Sequence, residues 1–127
     1  MDKPEYQQFL QKLPFPALLG EPAENSNNHK VTFVNQAFID EFGFTLTQMP
    51  DKDAWWQLAY PDPAYRAVVA SQWELEWELA EDKNLEKISM EACVTNKGGE
   101  EYRYRVISAI SHNPQERVYQ VFFIRLD

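Results

Sequence analysis

The chain has 127 residues, an aromatic content of 14%, one cysteine and a net charge of -8. That length fits one domain whose core needs neither disulfides nor metal to hold it. The acidic balance, with no basic cluster, argues against nucleic acid and anionic membrane surfaces as partners, and the lone Cys93 excludes an internal disulfide and suits a reducing cytoplasm.

Asp2 can cap a first helix with Pro4 in its first turn. Tyr6, Phe9, Leu10 and Leu13 follow at helical spacing and form an apolar stripe that needs a covering surface. Pro14 and Pro16 forbid further helix. Pro16 to Leu19 reads as a first short strand, and Gly20 to Asn28 as a long polar loop. Val31 to Val34 is a β-branched and aromatic run, which predicts a second strand. Asn35 then stands as an N-cap, Phe38 and Phe42 share one face of a very short helix, and Gly43 can stop it.

Thr45 or Thr47 can cap a single turn, and Asp53 begins another short helix. Asp62 and Pro63 are an N-cap and first helical residue, opening the longest helix, from Pro63 to about Asp82. Its expected inner face is Tyr65, Val68, Val69 and Trp73, extended by Trp77 and Ala80; Glu74, Glu78 and Glu81 fall outside it. Arg66 lies one turn past Asp62, so the two are expected to pair locally.

The last third changes period from helical to alternating. Ile88, Met90, Ala92 and Val94 alternate with polar residues, Asn96 to Gly99 signals a hairpin, and Tyr102, Tyr104, Val106 and Ser108 continue the pattern. Bringing Met90 and Tyr104 to one face needs an odd loop, with Gly98 or Gly99 at positive φ. His112 to Glu116 reads as a second turn. Val118 to Leu126 is apolar on both parities, the mark of a central strand covered on both faces. Tyr119, Val121 and Phe123 are expected on its outer face, where the N-terminal helix or a second copy would cover them.

This order, with V-N-Q-A-F at Val34 to Phe38, Gly43 and the N-K-G-G-E-E hairpin, resembles PAS domains, small sensor and interaction modules of signalling proteins. The block from Trp55 to Arg66 is similar to that of bacterial PAS domains found before histidine kinases and diguanylate cyclases. The resemblance implies an α+β fold with a five-stranded antiparallel sheet of order 2-1-5-4-3, helices packed on one face, and an added N-terminal helix. It divides the chain into an amphipathic helix, 1–13, and a PAS domain, 14–127. It also implies that the last strand leads through Asp127 toward an output domain, so the chain is expected to be the input part of a longer protein.

No nucleotide-binding, nucleophile-elbow or zinc-protease motif is present, and the chain is expected not to be an enzyme. One Cys and two scattered His give no metal-ligand spacing. His29 and His112 fall in expected turns and read as solvated. The long helix lacks the histidine of haem-binding PAS members, and no cysteine stands where flavin-binding members carry theirs, so no cofactor is expected. Cys93 has the parity of Glu91 and Thr95 and reads as a structural or surface thiol. No stretch of about 18 apolar residues offers a membrane span, and the N-terminus lacks a signal-peptide pattern.

If a small ligand binds, the candidate pocket is the ring-rich face of Phe33, Phe38, Phe42, Trp56, Tyr65, Val69, Trp73, Tyr102 and Tyr104, with the tyrosine hydroxyls to orient it. The competing reading is that these rings simply fill the core. The functional expectation is a cytoplasmic, homodimeric sensory module acting on an attached or separate kinase or cyclase. The alternatives are a ligand-free interaction module or a small cone-shaped isomerase, which the early strands and absent inward carboxylate disfavour.

Overall fold

Four helix starts carry side-chain caps, and they set the frame of the computed structural model, which describes residues 2–111 and 118–127. Asp2 opens α1 (Lys3–Gln11) with a capping box to Glu5. Asn35 opens α2 (Gln36–Phe42), which Gly43 closes at φ 81°, a left-handed conformation that costs a residue without Cβ little. Asp51 opens α3 (Lys52–Ala59), and Asp62 opens α4 (Pro63–Asp82) with proline in its first turn.

The strands are β1 (Ala17–Ala23), β2 (Ser26–Val34), β3 (Lys87–Thr95), β4 (Glu101–Ala109) and β5 (Tyr119–Arg125). They form one antiparallel sheet of order β2-β1-β5-β4-β3, the order the sequence led us to expect. The β3–β4 loop is odd, with Thr95 paired to Glu101 and Gly99 at φ 87°, so Met90 and Tyr104 do share a face. The expected turn at His112 to Glu116 lies outside the described residues.

Helices α2, α3 and α4 pack on one face of the sheet around a ring-rich core. Phe38, Phe42, Trp55 and Phe123 meet there with centroid separations of 4.8 to 5.9 Å, mostly edge to face. On the opposite face α1 buries Tyr6 and Leu10 against Ala17 and Leu19, with Phe33, Val118 and Phe122 beside them. The stripe of α1 is thus covered within the chain, apart from Phe9, which is exposed.

Several local expectations are corrected. Gly20 to Asn28 is not a long loop: β1 and β2 form a hairpin that turns at Glu24 and Asn25, with Asn25 at φ 58°. The polar residues Ser26 and Asn27 stay exposed on the edge strand β2, so no apolar alternation marks it. The cap of α3 is Asp51, which accepts from the Ala54 N–H at 2.9 Å, rather than Asp53. Arg66 donates from Nε to the Tyr60 carbonyl at 2.9 Å and from Nη2 to the Pro61 carbonyl at 3.2 Å, while the Asp62 carboxylate is occupied with the Ala64 N–H. Val68 is 61% exposed, because a helix lying flat on a sheet buries one stripe, here Val69, Trp73 and Ala80.

The faces of β5 are the reverse of those expected. Tyr119, Val121 and Phe123 point into the core beneath the helices, and Val118 and Phe122 face α1. A strand apolar on both parities offers no local signal for its orientation; the pairing partners β1 and β4 impose it.

Candidate functional site

A cavity lies between α3, α4 and the sheet. It is walled by Lys52, Trp55, Trp56 and Tyr60 from α3 and its C-cap, by Val69 and Trp73 from α4, and by apolar strand residues with Tyr119. About 40 Å³ is open to the centre of a water-sized sphere. One such sphere needs roughly 10–15 Å³, so the space corresponds to about three waters.

Of the residues proposed from sequence, Trp56, Val69 and Trp73 line this cavity. Phe38 and Phe42 lie deeper in the same core and fill it with each other, Trp55 and Phe123. Tyr65 stands at the edge, where its hydroxyl accepts the Cys93 N–H at 2.8 Å and so satisfies a donor on the edge strand β3. Tyr104 is buried and donates its hydroxyl proton to the Glu41 carboxylate, tying β4 to α2. Tyr102 lies near the β3–β4 loop with its hydroxyl on Glu100 and the Arg125 guanidinium 3.5 Å above its ring. Phe33 is on the far face, against α1. The tyrosine hydroxyls proposed to orient a ligand are therefore committed elsewhere.

The polar side chains among the lining residues were not picked out by pattern. Lys52 is 7% exposed and pairs with Glu74 at 2.6 Å. It directly follows its helix cap, outside any apolar stripe, so nothing in the spacing marks it as buried. Tyr60 is fully enclosed, and burial pushes its hydroxyl far above the ordinary phenol range. The Tyr119 hydroxyl is 2.8 Å from His29 Nδ1, and burial holds it protonated too.

His29 is the clearest departure from expectation: it is 8% exposed rather than solvated. Its ring packs edge-on against Trp77 and Tyr119. Burial, with the Lys52 charge adding to it, pushes its pKa down to about 4, so it is neutral at pH 7. His29 also borders an open groove between the β1–β2 hairpin and α4, where Glu74, Glu78 and Glu81 make the wall acidic.

The cavity does not fit the large cofactors that PAS-like folds can carry. A space for about three waters is far below a flavin or haem. No histidine or cysteine lines it, and Cys93 sits on the outward parity of β3. Among the described residues no group of three or more His, Cys, Asp or Glu is placed to hold a metal ion, and no helix is long and apolar enough to cross a membrane.

No family model matches the sequence, and no curated protein matches it. Solved structures do match. The LOV protein of Rhodobacter sphaeroides is 11% identical with a TM-score of 0.65, over 98% of this chain and 69% of that one. A PAS domain from a two-component sensor histidine kinase is 12% identical with a TM-score of 0.62, over 97% of this chain and 95% of that one. An RNA-binding light-oxygen-voltage receptor is 10% identical with a TM-score of 0.64, over 96% of this chain and 32% of that one. At such low identity the likeness speaks for the fold, and it agrees with the sheet order and the helix placement: the chain is a domain of the PAS fold.

Proposed function

We propose that this chain is a non-catalytic sensory and dimerisation module of a bacterial signal transduction protein, reading a small molecule in its core cavity. The observation that carries the reading is the cavity's position. It lies between α4 and the central strand β5, so a change in its contents bears on the middle of the sheet. The solved PAS domain of a sensor histidine kinase supports a kinase as the regulated effector, attached or separate, with a diguanylate cyclase as the other candidate. The division into a helix, 1–13, and a PAS domain, 14–127, and a cytoplasmic setting belong to the same reading. The net charge of -8 speaks against nucleic acid as a partner, although one protein of this fold is an RNA-binding receptor.

No carboxylate or histidine lines the cavity, which disfavours an isomerase-like enzyme. A ligand-free interaction module is the second reading, favoured by how completely Phe38, Phe42, Trp55 and Phe123 fill the deep core.

The test is a chimaera in which this chain replaces the PAS domain of a two-component sensor histidine kinase. Autophosphorylation is expected to change several-fold when Val69→Ala enlarges the cavity. A rate indifferent to that substitution, in a folded chimaera, overturns the sensory reading. Light scattering with and without residues 1–13 tests the dimer; a monomer in both forms removes it.

A further inference from the structure

We propose that the outward face of α4 docks a basic amphipathic helix of a partner protein, one with an apolar seam and lysine or arginine along its flanks. The inference goes beyond the sensory reading and holds whatever the cavity contains.

The long helix has two apolar faces. Val69, Trp73 and Ala80 are buried against the sheet. Val68, Leu75 and Leu79 lie outside that stripe and are 61%, 56% and 37% exposed. A surface helix ordinarily keeps its apolar residues on the face turned to the core. At about 100° per residue, these three side chains fall within about 40° of one another along about three turns. They form one stripe, which distinguishes an interaction surface from apolar residues exposed singly.

Spacing names the kind of partner. Val68, Gln72, Leu75 and Leu79 recur at intervals of four, three and four. That is a d-a-d-a run of heptad positions, the seam one helix offers to another. The exposed Gln72 is a single polar residue within that seam, and such a residue helps to fix register between paired helices. A strand, with its period of two, does not follow such a seam.

Charge names which helix. With Leu75 at d, Glu76 stands at e and Glu78 at g, the positions that pair across a helix seam. Neither carboxylate forms a salt bridge among the described residues. From Ala67 to Asp82 the helix carries no lysine, arginine or histidine. Arg66, just before, is turned to the Tyr60 and Pro61 carbonyls. A second copy of the chain has Val69, Ser71, Glu76 and Glu78 at the same e and g positions, so its α4 brings no cation to this face. A helix with lysine or arginine at its flanks supplies the opposite charge, which favours encounter and sets orientation.

The experiment titrates the full chain into two dilute, fluorescently labelled peptides as long as α4, at physiological salt. Both carry leucine at a and d; one has lysine at e and g, the other glutamate. Anisotropy is expected to show the lysine peptide binding at least about tenfold tighter. Leu75→Ser combined with Leu79→Ser is expected to weaken that binding at least about tenfold, with an unchanged melting temperature because both side chains are exposed. Glu76→Lys combined with Glu78→Lys is expected to turn the preference toward the glutamate peptide.

Equal affinity for the two peptides, or binding of neither, overturns the proposal, and that comparison needs no variant to fold. Lysine-peptide binding that survives the serine substitutions in a folded chain overturns it too, because the peptide then sits elsewhere. A dimer of the chain alone that the serine substitutions dissociate places a second copy on this face and overturns the basic partner.

Discussion

The Asn35 side chain donates from Nδ2 to the Leu10 carbonyl at 2.8 Å, tying the end of α1 to the junction of β2 and α2. The same amide donates to the Phe15 carbonyl at 3.0 Å. Its Oδ1 accepts the Ala17 N–H at 3.0 Å and the Phe38 N–H at 2.9 Å. A residue chosen by sequence as a helix cap therefore also joins the N-terminal helix, the first strand and the second. Asn35→Ala is expected to cost about 2–4 kcal/mol, because buried backbone groups lose their partners. Asn35→Asp should be no better, since it removes both donors and buries a charge. Urea denaturation of both variants checks this; an aspartate variant as stable as the parent would show that the two donated bonds contribute nothing.

Trp73 anchors the long helix to the sheet. Trp73→Ala is expected to cost about 3–5 kcal/mol through lost burial and the cavity left behind. Trp73→Phe should cost clearly less, because most of the ring contact remains and an unpartnered N–H disappears. Calorimetric melting of the two variants gives the comparison. An unchanged melting temperature for the alanine variant would contradict the burial of this side chain.

His29 makes stability depend on pH. Its pKa is depressed on folding from 6.5 to about 4, so between those values the unfolded chain binds more protons than the folded one. Stability is therefore lost as pH falls from 6.5 toward 4. The contribution is about 2 kcal/mol, discounted for the part of the ring near the groove. Carboxylates titrate in the lower part of this window, so the difference from His29→Gln is the quantity to measure. Between pH 7 and 4.5 the stability advantage of the parent over this variant should shrink by about 2 kcal/mol; a constant advantage would mean that the ring is solvated.

The Lys52–Glu74 pair should respond unequally to loss of either partner. The Lys52 side chain is 8% exposed and that of Glu74 32% exposed. Glu74→Gln leaves a buried ammonium without its counter-ion and is expected to cost about 2–3 kcal/mol. Lys52→Met leaves a carboxylate that water can reach and puts an apolar chain in an apolar wall, so it should cost less than about 1 kcal/mol. Chemical denaturation of both variants orders them, and a reversed order would place the buried charge on Glu74 instead.

Much of the fold was legible because its signals are local. The cap at Asp62, Pro63 in the first turn and the end near Asp82 bound the long helix in sequence and in structure alike. The alternation at Ile88 to Val94 and the glycine turn before Glu101 define the hairpin and its register. Val69 and Trp73 were placed on the inner face of the long helix from their spacing, and both are buried there. These features depend on residues a few positions apart, where backbone geometry alone decides who shares a face.

What the tertiary structure decided was everything that needs a distant partner. Val118 to Leu126 is apolar on both parities, so only pairing with β1 and β4 could send Phe123 to the helices and Phe122 to α1. Phe33 belongs to the α1 side for the same reason, since its face follows from the register between β1 and β2. His29 and Lys52 look solvated in a list of residues and are buried, because Tyr119 and Glu74, 90 and 22 positions away, satisfy them. Burial of a polar group is set by whether a partner arrives, and that partner is supplied by topology rather than by neighbours in the chain.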